Sequence, residues 1–317
     1  MPETFGIEIE TGFGRGASYH SVATAMRAEG LQVQDNPGSR HFGFSRSKWS
    51  VKYDSTLSNG AEVVSPPLNF NSPAQREQVN KAIRALMLAG CRVVDEAGIH
   101  VHVNASDLSA RQIANIVRFV YKFEDVLYRI ASSGWDSIRS EALRDPYDAS
   151  AYAKQITEEM AKRMMKVRDG EALMQAWAGS AWSGDGDRYH AVNLNPWWNT
   201  GTVEFRLFNT SLNAERVQAY IAVAVAVVRD ARNGQARQVK THYPLGTMAD
   251  HPEAAAKMFL RFQQVMRTAS GDSSKSNRAG LPPLMSKEDW KRVLFCWKDS
   301  FPQVPRGRVR RRTRSTV

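Results

Sequence analysis

The chain has 317 residues, of which 42% are hydrophobic and 24% are charged, and its formal net charge is +11. This length and composition predict a globular protein with one substantial core and room for a smaller appendage. The most apolar run, residues 217–228, is too short to cross a bilayer, which needs about 20 apolar residues, so we expect a buried helix there and no membrane span.

The cysteines and the N-terminus bear on location. Cys91 and Cys296 lie far apart, without the spacing of a metal site. A strand pattern begins almost at the N-terminus and leaves no room for a secretory leader. We therefore expect a reducing, cytoplasmic location.

The positive charge is concentrated at the C-terminus. Residues 306–314 contain six arginines and no acidic residue, which is more than half of the net excess. We expect residues 304–317 to form a disordered basic tail that contacts anionic partners nonspecifically, with solvated charge of no function as the alternative. No RNA-binding signature is found elsewhere.

The first part of the chain reads as strands. A strand is predicted over residues 4–10, followed by a loop containing Gly12, Gly14 and Gly16. Residues 49–54 and 62–64 form two further strands around a turn at residues 58–60, and we interpret them as a hairpin.

Helices dominate the later part. Ser72 and Gly90 mark the start and stop of one helix, and Ser109 with Gln112 has the capping-box spacing that begins a second. Further elements are predicted at residues 149–178 (helical and polar), 189–195 and 202–208 (paired strands) and 213–233 (a helix ending at Gly234). Beyond them, residues 271–276 read as a polar linker and Ser286 as the cap of a short helix. The domain boundaries predicted from this pattern are 1–235, 236–303 and 304–317.

Several of these strands place charged residues on one face. Side chains alternate between the faces of a strand, so a polar residue at every second position marks one surface of the sheet. Carboxylates gathered there repel one another and lose hydration unless cations lie among them. The polar positions are Glu8 and Glu10, Glu62, His100, His102 and Asn104, and Glu204 and Arg206. This pattern favours a metal site.

Each of these positions also has a structural interpretation. Glu8 and Glu10 could form the solvated face of an edge strand, and Glu204 could simply pair with Arg206. The functional alternative is that Glu204 binds a cation while Arg206 binds phosphate, a bidentate task that suits guanidinium. Lys52 could contact phosphate, and Asp54 could be a ligand, a general base or the first residue of a turn.

Five ordered motifs resemble the amidoligase family, part of the carboxylate-amine ligase superfamily of glutamine synthetase and glutamate-cysteine ligase. The motifs are FGIEIE (5–10), WSVKYDS (49–55), EVVSPPL (62–68), GIHVHVN (98–104) and GTVEFRLF (201–208). The resemblance runs from about residue 5 to about residue 230 and has no counterpart beyond Gly234. It implies an α+β fold: a largely antiparallel sheet of the glutamine synthetase type, helices on one face and a helical C-terminal extension.

The resemblance also implies chemistry. ATP and Mg²⁺ (or Mn²⁺) would activate a small-molecule or peptide carboxylate as an acyl phosphate, which an amine then attacks. Carried over by position, the ligands would be Glu8, His100 and Glu204 for one metal ion and Glu10 and Glu62 for a second. His102, Lys52 and Asn104 would lie near the nucleotide or its phosphates. Arg206 would contact the transferring phosphoryl group, with Asp54 as a candidate base.

Two other functions remain open at this stage. A metal-dependent hydrolase could use His100 and His102 at a zinc or two-metal site. A binding module without catalysis could use the arginine tail to recognise nucleic acid or protein.

Overall fold

The computed structural model describes residues 3–35, 37–39, 45–131, 156–178, 186–233, 252–267 and 284–299. Within these ranges the chain has the predicted α+β fold, and all ladders between its named strands are antiparallel. The strands are β1 (Thr4–Phe13), β2 (Ser50–Lys52), β3 (Gly60–Val64), β4 (Leu68–Asn69), β5 (Cys91–Arg92), β6 (Gly98–Asn104), β7 (Val192–Asn193) and β8 (Thr202–Asn209). The helices are α1 (Tyr19–Ala28), α2 (Pro73–Leu88), α3 (Ala110–Ala131), α4 (Glu158–Met164), α5 (Gly170–Ala178), α6 (Asn195–Thr200), α7 (Ala214–Arg232), α8 (Pro252–Arg267) and α9 (Lys287–Asp299).

The sheet is organised around β1. Its strand order is β2-β3-β1-β6-β8-β7, and the short strands β4 and β5 also pair with β1. The predicted hairpin is confirmed, since β2 and β3 pair with Lys52 opposite Glu62. The four strands with the polar motifs, β3, β1, β6 and β8, are therefore consecutive neighbours in the sheet.

One face of the sheet packs on helices. Ile7, Ile9 and Val101 alternate with the charged residues of β1 and β6 and are fully buried. Helix α7 packs on β6 and α3 on β8, and the ring of Tyr220 in α7 stacks on Phe208 with centroids 4.5 Å apart. Burying each such side chain contributes roughly 1.5–3 kcal/mol, so this layer fixes the sheet and leaves its other face for polar groups.

A β-bulge interrupts the pairing of β6 with β8. Ile99 pairs with Phe208 but Val101 pairs with Phe205, so β8 has one residue more than β6 across this step. Bulges change the direction of side chains locally. Here Phe205 and Phe208 are both buried, while Arg206 lies within the bulge.

The predicted helix boundaries are confirmed where local signals were strong. Ser72 caps α2 by accepting a hydrogen bond from the Gln75 amide, and Gly90 follows the helix with φ of 80°. Ser286 caps α9, its Oγ accepting from the Asp289 amide at 3.0 Å. Each cap satisfies a backbone donor that the first helical turn leaves open.

Other boundaries differ from the sequence prediction. The strand expected over residues 189–195 is only β7, because Tyr189 ends a short 3₁₀ helix and α6 begins at Asn195. The helix expected over residues 149–178 is two short helices within its described part, since Asp169 Oδ1 caps a new helix at the Ala172 amide, 2.9 Å away. The strand predicted over residues 49–54 spans only β2.

The C-terminal helices join the same core. Phe262 of α8 and Trp290 of α9 are buried, and α9 packs on α7 and α3. Gly234, the linker at residues 271–276, part of the helix at residues 149–155, the boundaries at 235 and 303 and the basic tail lie outside the described residues, so the domain division stays a prediction. In the described part of the chain, no helix has the length and apolar character needed to cross a membrane.

Candidate metal and nucleotide site

Strand register brings the polar motifs together on the face opposite the helices. Glu8 pairs with His100, Glu10 with Glu62, and His102 with Glu204. We call these six residues the histidine–carboxylate cluster. Its floor is buried, since Glu10, Glu62, His100 and Glu204 are each at most 6% exposed. The side chains of Glu8 and His102 are 22% and 23% exposed and form its accessible rim.

Glu8 lies at the centre of the cluster. One of its oxygens lies 3.1 Å from His100 Nδ1 and the other 3.3 Å from His102 Nε2. His100 Nδ1 also lies 3.5 Å from Glu204 Oε1. Side chains from β1, β6 and β8 therefore share one small volume.

Glu10 is held by the backbone on one side. The amide of Gly98 donates to its Oε2 at 2.6 Å, and its Oε1 lies 3.8 Å from His100 Nε2. Thr210 donates to the Glu10 carbonyl at 2.5 Å, which ties the end of β8 to β1. The carboxylate of Glu10 is thus oriented toward the cluster by groups that the sequence pattern does not reveal.

Glu204 is held at both oxygens. Asn193 Nδ2 donates to Oε2 at 2.6 Å, and Arg206 Nη1 donates to Oε1 at 2.6 Å. The Arg206 guanidinium also lies 5.9 Å from the ring centroid of Tyr189. From the sequence, Asn193 and Asn195 could either extend the polar face or be turn residues at the end of a strand. Asn193 does both in the structure, since its Oδ1 also accepts from the Asn195 amide at 3.0 Å.

Lys52 and Asp54 border the cluster at the β2 edge. Lys52 Nζ lies 2.8 Å from Glu62 Oε2, in an ion pair. Asp54 Oδ1 accepts hydrogen bonds from the amide and hydroxyl of Thr56 at 2.7 and 2.6 Å. Asp54 therefore forms the turn considered in the sequence analysis, while one of its oxygens stays near those of Glu10 and Glu62.

Asn104 lies at the end of β6, away from the floor. Its Oδ1 accepts from the amide and hydroxyl of Ser106 at 3.2 and 2.9 Å, which is a turn interaction. His102 Nδ1 lies 3.5 Å from the Thr202 hydroxyl. Of the predicted nucleotide-binding residues, His102, Lys52 and Arg206 thus contact the carboxylates directly, and Asn104 contacts a turn.

The charges of the cluster perturb one another. Burial raises the pKa of Glu8, but His102 and His100 outweigh this and lower it well below its usual range. Burial and the nearby Glu8 raise the pKa of Glu62 well above its usual range, against the opposing effect of Lys52. Although burial lowers the pKa of Lys52, Glu62 raises it overall. The pKa values of Lys52 and Glu62 are thus both raised. The 2.8 Å contact indicates an ionised pair at neutral pH, because a neutral Glu62 would leave the ammonium without a counter-charge.

The donor set fits divalent cations. Three groups of side chains each offer ligand atoms within 4.8 Å of one another. The groups are Glu8, His102 and Glu204; Glu8, Glu62 and His100; and Glu10, Asp54 and Glu62. His100 Nε2 is buried and has no hydrogen-bond partner among the described residues. A buried imidazole nitrogen facing carboxylates is the arrangement of a metal ligand, and the mixed oxygen and nitrogen donors suit Mg²⁺ or Mn²⁺.

Comparison with known proteins identifies the family. Residues 1–228 match the family model described as "Putative amidoligase enzyme". The chain belongs to this family. The amidoligase match extends from β1 into α7 and so includes every residue of the histidine–carboxylate cluster.

Solved structures of two ligases are similar to this amidoligase-family chain. A bifunctional glutathione synthetase from Pasteurella multocida is 11% identical with a TM-score of 0.48, and the match covers 94% of this chain and 46% of that one. The complex of the prokaryotic ubiquitin-like protein Pup with its ligase PafA is 10% identical with a TM-score of 0.40, covering 94% of this chain and 62% of that one. The chain thus spans less than two thirds of either protein. No curated protein matches its sequence.

Proposed function

We propose that this chain is an ATP-dependent carboxylate-amine ligase that forms an amide or peptide-like bond through an acyl phosphate. The observation that carries the proposal is the convergence of four carboxylates and two histidines from β1, β3, β6 and β8 on one sheet face. Membership of the amidoligase family supports the same chemistry.

The chemistry explains why such a cluster would be useful. An amine cannot expel oxide from a carboxylate, so the oxygen must first become a leaving group. Transfer of the terminal phosphoryl group of ATP to the carboxylate supplies one, and attack by the amine then releases phosphate. Divalent ions, when bound, neutralise charge on the polyphosphate and on the transferring phosphoryl group.

Individual roles follow from position. We propose that Glu8, Glu10, Glu62, His100 and Glu204 hold Mg²⁺ or Mn²⁺, with His102 a further ligand or a phosphate contact. Arg206 is oriented by Glu204 at 2.6 Å and would contact the phosphoryl group. Asn104 and Lys52 would contact the nucleotide.

Asp54 remains the candidate base for the attacking amine. Its Oδ1 is engaged by Thr56, and a base must reach the proton that it removes.

Two buried free cysteines agree with the proposed reducing, cytoplasmic location. The substrates would be a small-molecule or peptide carboxylate and an amine, and the arginine-rich tail would contact an anionic partner nonspecifically.

Hydroxylamine provides a test that does not depend on knowing the amine. The protein is incubated with ATP, Mg²⁺, hydroxylamine and a panel of amino-acid and peptide carboxylates, and hydroxamate and ADP are measured. We expect hydroxamate and ADP to form together with at least one carboxylate. In Glu8→Gln, both products and metal-dependent ATP binding should be lost. Glu158→Gln, on the surface of α4 with its side chain 61% exposed, is the matched control and should retain both.

Two outcomes would contradict the proposal. Cleavage of an amide by a zinc-loaded protein without ATP would indicate the hydrolase considered from the sequence. Salt-sensitive nucleic-acid binding that is lost on deleting residues 304–317, with no ADP formed under any condition, would indicate the binding module.

A further inference from the structure

Lys52 is a cation that borders the floor of the cluster on its β2 side. It lies in register with Glu62 on the adjoining strand, so both side chains project from the same face of the sheet. The Nζ to Oε2 distance is 2.8 Å, and the side chains are 29% and 7% exposed for lysine and glutamate respectively. A buried carboxylate thus has a partly accessible ammonium as its counter-ion.

The position of Glu62 gives this pair its significance. Glu62 belongs to two of the three groups that could hold a metal ion, one with Glu8 and His100 and one with Glu10 and Asp54. In the first group, His100 Nε2 is buried without a hydrogen bond within the described chain. The ammonium therefore occupies the carboxylate on which both groups depend.

A divalent ion and the ammonium would compete for that carboxylate. Two positive centres a few ångström apart repel strongly in the partly buried surroundings of a protein. The single negative charge of Glu62 cannot neutralise the divalent ion and the ammonium at the same time. Lysine is also well suited to leaving, because its ammonium is a compact charge on a flexible stem and its rim position lets water solvate it.

We propose that Lys52 is a tethered counter-ion that blocks Glu62 in the metal-free chain and must move away before a divalent ion can bind there. The metal part of this proposal needs only the cluster. Its second part rests on the proposed function: the ammonium that leaves Glu62 would contact phosphate of the nucleotide, so nucleotide and metal would favour the same displaced state.

The test measures two ligands separately. Mn²⁺ binding without nucleotide is followed by calorimetry for the wild type, Lys52→Met and Lys52→Arg at one fixed pH. Lys52→Met should bind Mn²⁺ at least about tenfold more tightly than the wild type, since a repelling charge has been removed, whereas Lys52→Arg should resemble the wild type. Lys162→Met removes a lysine from a surface ion pair with Glu158, 2.7 Å away, and should leave Mn²⁺ binding unchanged.

A double-mutant cycle assigns the effect to Glu62. The gain in Mn²⁺ affinity should disappear when Lys52→Met is combined with Glu62→Gln. Unchanged or weaker Mn²⁺ binding in Lys52→Met would overturn the proposal, as would a gain that persists without Glu62. Lys52→Gln, which keeps a polar rim, serves as the second variant if Lys52→Met does not fold.

ATP binding separates this proposal from the proposed function. With Mg²⁺ present, Lys52→Met should bind ATP at least about tenfold more weakly, opposite in sign to its effect on Mn²⁺. Tighter Mn²⁺ binding in a protein that never binds ATP would support the tethered counter-ion and refute the ligase. Ligase activity with identical Mn²⁺ affinities in wild type and Lys52→Met would support the ligase and refute the tethered counter-ion.

Discussion

Two groups of charged side chains lie on opposite sides of the sheet, and they differ in the balance between acidic and basic residues. On the helix side, Arg76 and Arg292 both pair with Asp289, at 2.6 and 3.0 Å, and Arg292 also pairs with Glu215 at 2.6 Å. We call these four residues the ion-pair cluster. It has two acids and two arginines. On the open face, four glutamates meet two permanent cations among the described residues, Lys52 and Arg206.

The difference separates a structural role from a binding role. The ion-pair cluster joins α2, α7 and α9 and is complete without a ligand. A cavity of about 430 Å³ lies beside it, yet its arginines Arg76, Arg229 and Arg292 each already have a carboxylate partner. Within the described chain, the four glutamates of the histidine–carboxylate cluster outnumber their permanent cations, and His100 Nε2 is buried without a hydrogen bond. Added cations would therefore complete this cluster.

The largest expected effect comes from removing a carboxylate of the open face. Glu62→Gln should lower hydroxamate formation by at least about 100-fold, because losing the proposed direct ligand should exceed the roughly 10- to 100-fold cost typical of outer-sphere partners. Its free energy of unfolding should change by less than about 1 kcal/mol, because repulsion from Glu8 offsets the ion pair with Lys52, and the Lys52 ammonium, with its side chain 29% exposed, can be solvated when the pair is lost. Steady-state kinetics and urea unfolding measure the two effects.

The contradicting pattern for Glu62→Gln is a stability loss of several kcal/mol with activity retained. That result would make the open face a structural charge cluster like the one on the helix side. On the helix side a neutral amide already has such a structural role, since the Oε1 of Gln218 accepts a hydrogen bond from Arg76 Nε at 2.9 Å.

For Asp289→Asn we expect the opposite pattern, a loss of stability without a change in metal binding. Its carboxylate is 2% exposed and accepts from Arg76, so the substitution leaves a mostly buried guanidinium without its counter-charge. We expect the free energy of unfolding to fall by about 3 kcal/mol, with Mn²⁺ affinity unchanged. Urea unfolding and calorimetry would check this.

Glu215→Gln is the matched control for that experiment. It removes an acid of the same cluster, but its side chain is 58% exposed, so the expected loss is below about 1 kcal/mol. Equal losses in the two variants would mean that burial does not set the strength of this cluster. A change in Mn²⁺ affinity in Asp289→Asn would mean that the two sides of the sheet are coupled.

Much of this contrast could be predicted from sequence on the open face. Period-two alternation placed Glu8 with Glu10 and His100 with His102, because a strand pattern fixes which residues share a face. Helix caps at Ser72 and Ser286 were equally accessible, since a cap depends on residues within one turn. Family resemblance then joined motifs that lie far apart in the chain.

The remaining features depend on pairings that no local pattern encodes. The ion pair of Arg76 with Asp289 joins residues 213 positions apart, and the bulge in β8 appears only against β6. For Asn193 the sequence left two interpretations open, a residue of the polar face and a turn residue at the end of a strand. In the structure its Oδ1 accepts from the Asn195 amide at 3.0 Å, which turns the chain into α6 and fixes the side chain beside Glu204.

The smallest expected effect is a pH dependence that distinguishes the ion-pair cluster. Burial raises the pKa of Asp289, but Arg76 and its other partners outweigh this and lower it below the usual value. A lowered folded-state pKa contributes stability that is present above the unfolded-state pKa, about 3.9, and is lost as pH falls toward the folded-state pKa. The stability gap between wild type and Asp289→Asn should therefore be constant from about pH 7 to 5 and should shrink below about pH 4. Urea unfolding at each pH measures it. A gap that stays constant down to about pH 3 would show that the carboxylate of Asp289 is not stabilised by its arginines, and the distinction between the two clusters would lose its electrostatic basis.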